Sequence, residues 1–439
     1  MTEPALAGVL FLALLLLMAL RMPIGLAMFV CGSVGYVTIT GWVPFLAYIK
    51  STPYYLFSNY TLSVIPLFIL MGAFAERAGI AKSLFAAANA FLGHRRGGLA
   101  MATIGACTGF GAICGSSVAT TATMGRATLP EFRHYGYADR LATGTLAVGG
   151  TLGILIPPSV ILIVYAISTE QNIAKLFMAA LVPGLLAATF YILTIAWLVR
   201  RNPEFGPAQP RTPPAERMRL LVKIWPVLLI AFVVIGGIYG GVFTPTEGAA
   251  VGAIATLATG LLQRTLGWVQ IRASLMQTAE TTAMIFVILL GAEIFNAFLA
   301  LSQLPMEAAE IVTNLGMPPY AVLVSLLVFY IILGGVMDEL AMILLTLPVF
   351  FPVVMALDFG LDPESTAIWF GILVLIIVGI GLTAPPIGLN VFVINSLARD
   401  VPITTTYRGV LPFLLTDVIR LGLVILFPGL ALWLVRLLA

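Results

Sequence analysis

The chain has 439 residues, 60% of them hydrophobic and only 9% charged, with a net charge of +3 and a mean hydropathy of +1.07. Soluble domains carry about 25% charged residues, so an ordinary water-soluble globule is excluded, and the small net charge gives no reason to expect nucleic acid. Apolar runs of about 20 residues recur throughout, as helices crossing a ~30 Å hydrocarbon layer require, without the weak alternation of a membrane barrel. The expected class is an all-α polytopic membrane protein.

The first run, 5–20, has no basic stretch ahead of it, and Arg21-Met22-Pro23 follows it instead of a small-residue cleavage site. It reads as a retained helix and not a signal peptide. With the span at 24–41 and the aromatic stretch WVPFLAYIKSTPYYLFSNY (42–60), it forms an N-terminal scaffold unit over 1–60. That stretch suits either a helix lying along the interface or an ordinary loop. Further spans fall at 61–76, 141–169 and 176–199, and basic residues sort the loops between them. Arg21, Arg77 and Lys82 follow the first and third spans, and the Pro-rich segment 200–223 carries six Lys or Arg, so these face the cytoplasm and the N-terminus is periplasmic. No Lys or Arg occurs between Arg272 and Arg399, so the polar turns near 302–318 and 357–365 lie outside.

Residues 97–129 have basic flanks on both sides, His94-Arg95-Arg96 and then Arg126, Arg133, His134 and Arg140. An apolar stretch that starts and ends on one face must turn back. Its small polar centre, GAICGSSVATTATMG, predicts a re-entrant hairpin with its tip near Gly115-Ser116-Ser117, allowed only against protein or a wet cavity. A second hairpin, 319–356, turns at Gly334-Gly335 and Asp338-Glu339 between acidic flanks and enters from outside. The first repeat spans 61–199, 200–223 is a cytoplasmic linker, 224–275 supplies second-half scaffold helices, and 276–439 is the second repeat.

Two membrane-length runs each contain Pro-Pro, at Pro157-Pro158 in 141–169 and at Pro385-Pro386 in 366–397. A proline inside a helix costs ~3 kcal/mol. An isolated pair suits a kink or a loop, but recurrence in both halves points to a shared device. IPLFILMGAFAERAG (65–79) resembles MIFVILLGAEIFNAF (284–298), and Gly72 stands to Gly291 as Gly115 stands to Gly334. Five crossings in the first half then make the repeats inverted. Inverted repeats with interrupted helices belong to secondary transporters, whose exposed carbonyls and amides hold ions and anions. Each break is therefore expected to face a hairpin tip, Pro157-Pro158-Ser159 with Ser116-Ser117 and Thr383–Asn390 with Gly334–Asp338.

Other polar groups fit structural roles as readily. Asp417 and Arg420 suit an ion pair, Glu247 a helix start, and His94 and His134 headgroup contact. Glu293 suits a partner or a wet cleft, and Asn390 and Asn395 suit interhelical hydrogen bonds as well as a site. Cys31, Cys107 and Cys114 read as buried thiols.

The motifs GAICGSSVATTATMG, ILIPPSVILIVYAIS, LFMAALVPGLL, GVFTPTEGAA, GGVMDELAMILLTLP and LTAPPIGLNVFV, with the closing LPFLL and FPGLALWL, resemble the large membrane subunit of the tripartite ATP-independent periplasmic (TRAP) transporters, the DctM-like family. The resemblance implies an elevator-type, Na⁺-driven importer of small organic acids in a bacterial inner membrane. It also implies a small four-helix membrane subunit, which this chain does not contain, and a periplasmic substrate-binding protein. Carried over, the sodium sites are Ser116, Ser117, Gly153 and Pro157 on one side and Gly334, Gly335, Thr383 and Pro385 on the other. The anion is expected near Ser117, Thr120, Ser159, Asp338 and Asn390, held by backbone amides and hydroxyls or with the help of a more distant Arg such as Arg126. Sodium is the only ion implied, and no organic cofactor. The alternative is a self-sufficient homodimeric carboxylate carrier. An enzyme is not expected: HExxH and GxSxG are absent, and neither histidine lies near Ser116 or Ser117.

Overall fold

The computed structural model describes residues 3–314, 316–335 and 337–438, without the side chains of Val312 and Thr313. Val336, inside the predicted second tip, lies outside the described residues. The described chain is helical throughout. The first half comprises α1 (Glu3–Ala19), α2 (Ile24–Thr40), α3 (Trp42–Phe57), α4 (Val64–Arg77), α5 (Ile80–Leu92), α6 (Gly98–Cys114), α7 (Ser117–His134), α8 (Asp139–Leu155), α9 (Val160–Ser168) and α10 (Ile173–Arg201). The second comprises α11 (Pro214–Tyr239), α12 (Pro245–Leu262), α13 (Trp268–Leu301), α14 (Leu304–Asn314), α15 (Pro319–Gly334), α16 (Glu339–Met355), α17 (Pro363–Gly381), α18 (Leu389–Leu397), α19 (Ile403–Leu426) and α20 (Gly429–Leu438). Six described helices are long and apolar enough to cross a membrane, or seven when α8 and α9 count as one span bent by 44°.

Two helices cross expected boundaries. Pro214, well suited to a first helical turn, starts α11 inside the expected 200–223 linker, leaving a shorter connection that hydrogen-bonds Gly93, Gly97 and Ala138, and α13 runs unbroken through the expected division at 275/276. The 42–60 stretch is a helix, with Trp42, Val43, Tyr54 and Tyr55 exposed.

Packing in the two halves is reciprocal. Helix α2 lies along α13 while α12 lies along α4, and α1 packs on α2 as α11 packs on α12. Lipid removes most of the hydrophobic drive between helices, so close approach through small residues matters more. A Cβ on Gly291 would fall 2.1 Å from the carbonyl oxygen of Gly25, and one on Gly32 would fall 2.7 Å from the backbone of Phe295. Only glycine lets α2 and α13 meet this closely.

At the centre lie α8 and α17, buried along nearly their whole lengths. Their directions follow from the pairs at their ends. Arg140, at the start of α8, donates to the carbonyl of Arg408, and Arg133 pairs with Asp400 just beyond α18. At the other end Lys175, opening α10, pairs with Glu364, opening α17. The two interrupted segments therefore run antiparallel. The base of the α6–α7 hairpin lies at the Asp400 end, where Gly97 donates to Gly206 and Ala138 to Phe205. The base of the α15–α16 hairpin lies at the Glu364 end, where Tyr320 packs on Phe359 and Phe359 on Trp369. The hairpins enter the bundle from opposite ends.

The Asp417–Arg420 pair forms at 2.8 Å with both side chains enclosed, and Tyr191 donates to Asp417. Glu247 completes a capping box with Thr244, Tyr48 reaches Glu293, and the three cysteines are free and buried.

Candidate functional site

Helix α6 ends where Gly115 takes a left-handed conformation, φ +67°, which glycine adopts without steric cost. A Cβ there would also meet the carbonyl oxygen of Pro158 at 2.9 Å. The chain reverses at Ser116, whose hydroxyl accepts from the Ala119 amide and caps α7. Opposite the tip, α8 stops at Leu155 and α9 starts at Val160, capped by Ser159. Pro157 and Pro158 have no N–H, so the carbonyls of Gly153 and Ile154 lose their i+4 donors. The Val160 amide donates to the carbonyl of Gly115 at 3.3 Å, joining tip to break. Gly153 makes the junction tight, since a Cβ on it would fall 2.3 Å from Thr120 Oγ1 and 2.6 Å from the carbonyl oxygen of Ser116. Asn390 reaches this junction from α18, its amide donating to Ser117 Oγ at 2.8 Å and to the carbonyl of Ala147 at 3.0 Å. Two buried oxygens there, Thr120 Oγ1 and Asn390 Oδ1, have no partner.

The second junction repeats the arrangement. Helix α17 ends at Gly381 and α18 starts at Leu389, after Gly388 at φ +60°. Pro385 removes the i+4 donor of the Gly381 carbonyl, and Gly381 corresponds to Gly153. The Ile387 amide donates to the carbonyl of Gly335 at 3.1 Å, Gly335 packs on Pro385 and Pro386, and Gly334 lies against Gly381. Thr383 Oγ1 is turned back to the carbonyls of Gly379 and Ile380. Tyr407 of α19 donates to the carbonyl of Ile387 and lies 3.0 Å from that of Pro386.

Between both tips and the pair α4 and α13 lies a cavity of about 570 Å³. Ser116 and Asp338 line it; among the described residues Ser117, Thr120, Ser159 and Asn390 do not, being enclosed behind the tips. The cargo contacts expected from those four are therefore not presented to the open cavity. They, with Gly153 and Pro157, build the first junction, as Gly334, Gly335, Thr383 and Pro385 build the second. Asp338 Oδ1 accepts the amides of Leu340 and Ala341, each at 3.0 Å, and so caps α16.

Sequence reasoning missed Glu76 and Tyr407 and named Glu339 only as a turn residue. Glu76 and Arg126 pair across the cavity at 3.5 Å. Glu76 was legible as an acid at the end of a span, but its neighbour Arg77 drew attention as a topology marker. Glu339 was visible at the tip. No local signal could have identified Tyr407, which acts from a distant helix.

A family model described as "Tripartite ATP-independent periplasmic transporter, DctM component" matches residues 11–430. The chain belongs to the DctM family of TRAP transporter large permeases. The C4-dicarboxylate TRAP transporter large permease protein DctM of Pseudomonas aeruginosa is 38% identical over 85% of this chain and 86% of its own length. The ectoine TRAP transporter large permease protein TeaC of Halomonas elongata is 33% identical, over 85% and 86%. The isethionate TRAP transporter permease protein DctMQ of Oleidesulfovibrio alaskensis is 32% identical over 90% of this chain but only 60% of its own length. The solved structure of the Alcanivorax borkumensis YdaH transporter covers 98% of both chains with a TM-score of 0.64 at 17% identity, a likeness of fold. DctM membership and the apolar helices make this a multi-pass inner-membrane permease.

Proposed function

We propose that this chain is the Na⁺-coupled large permease of a three-part importer. It takes a small organic anion from a periplasmic binding protein and works with a small four-helix membrane subunit. The observation that carries the reading is the pair of antiparallel interrupted helices, each joined to the tip of one of two hairpins that enter from opposite ends. In lipid such breaks need internal partners, and at secondary-transporter midplanes their free carbonyls serve coupling ions. The first sodium site is placed at Ser116, Ser117, Gly153 and Pro157, with Thr120 Oγ1 and Asn390 Oδ1 as unpartnered oxygens beside it. The second is placed at Gly334, Gly335, Thr383 and Pro385. Both hairpins are taken as re-entrant, the N-terminus as periplasmic, and the cavity as the cargo space, Glu76 and Arg126 marking its cytoplasmic end. Helices α1, α2, α4 and α11–α13 form the fixed scaffold against which hairpins and broken helices move as an elevator.

The test is uptake into proteoliposomes holding this permease and its small subunit, with a panel of binding proteins and radiolabelled acids. Uptake driven by an inward sodium gradient, dependent on a binding protein and abolished by replacing sodium with potassium, is expected. Equal uptake without either component would sink the three-part reading in favour of a self-sufficient carrier, and indifference to sodium would sink the coupling.

A further inference from the structure

The cavity is short of positive charge. Among the described residues lining it, three carboxylates, Glu76, Asp338 and Glu339, face one guanidinium, Arg126. Arg126 already engages Glu76, and Asp338 is occupied in capping α16. Glu339 is left. Its Oε2 is buried without a hydrogen-bond partner, in a cavity whose lining is otherwise largely apolar, with Ile69, Val160, Ile285, Leu340 and Leu389 among it. A carboxylate oxygen buried without a partner is costly, and a positive group beside it would offset that cost. A doubly negative solute would meet like charge there instead.

Ser116 and Val118, at the amino end of α7, line the same cavity. A helix amino end favours an anionic group. The cavity thus holds two features complementary to opposite charges. We propose that the cavity takes a small acid that also carries a positively charged nitrogen, the nitrogen at Glu339 and the acid group at the α7 amino end. This deepens the transport reading and rests on it. Glu339 is then a specificity-determining residue, selecting zwitterions over dicarboxylates.

The test uses matched four-carbon solutes, 4-aminobutyrate, succinate and butyrate, in thermal-shift titrations of the purified permease with its small subunit. The wild type should respond to 4-aminobutyrate at a concentration about tenfold lower than to succinate or butyrate. Glu339→Gln, nearly the same in shape, should erase that preference while keeping the cooperative melt, and Glu339→Asp should keep part of it. Succinate stabilising the wild type as well as 4-aminobutyrate does, a preference surviving in Glu339→Gln, or no shift from any solute would each overturn the proposal. Sodium-driven uptake is measured separately, so its failure would remove the transport reading and leave the charge preference readable on its own.

Discussion

Asp417 and Arg420 illustrate how much a buried side chain depends on its neighbour. Both are enclosed between α8, α10 and α19, with Tyr191 donating to the carboxylate. Removing one partner leaves an unmatched charge in a low-dielectric core, at a cost of about 3–5 kcal/mol, whereas replacing both by apolar groups is often neutral. Arg420→Met should therefore sharply lower the unfolding temperature in detergent, and Asp417→Leu combined with Arg420→Met should recover most of the loss. Equal melting of the single and double variants would show that the pair is not what holds this region. The pairing was legible from a three-residue spacing on an apolar helix. The Asn390 bond to Ser117 was not, because no periodicity links residues 273 positions apart.

The elements were legible for different reasons. Long apolar runs and paired prolines marked the spans and breaks, because a missing N–H is a property of the residue itself. The first helical hairpin was legible from the basic ends and small polar centre of 97–129, the second from its glycine turn between acidic flanks. What escaped was support from other helices, of which Tyr407 is the clearest case. Its hydroxyl holds the carbonyl of Ile387 beside the second break. Tyr407→Phe removes that donor and little else. Hydrogen exchange at the amides of 383–390 should speed up, and the sodium concentration giving half-maximal uptake should rise several-fold, with the melting temperature lower by at most a few degrees. Unchanged exchange there would mean that the proline geometry suffices without the tyrosine.

The whole molecule is tied together at its two ends by charged loops. Asp362 caps α17 through the Ser365 amide, and this bond holds its carboxyl below the usual carboxylate range. Asp400, bonded by its own backbone amide and then by Arg133, is lowered in the same direction. A carboxylate with a lowered folded-state pKa contributes stability that is fully present above its ordinary value of about 4 and is lost as pH falls through the lowered one. The contribution of these two loops to the melting temperature should therefore be level from roughly pH 7 to 5 and decline below roughly pH 4. Comparing wild type with Asp362→Asn and Asp400→Asn across that range checks it: the variants should converge with the wild type in acid, and a gap that widens there would contradict the assignment. That the two interrupted segments run in opposite directions was legible from the odd number of crossings that separates them. How the halves interlock was not, because it depends on which faces meet.

That interlock bears on how the protein is made. Short helix α9 packs on α16, and α18 packs on α7, so each half completes the other's junction. A ribosome adding ~5–20 residues per second reaches Asn390, 273 residues after Ser117, only after roughly 15–55 s. Throughout that interval the first turn lacks its companion. The first junction is thus completed only near the end of synthesis, and a first half made alone would lack the α18 contacts to α7.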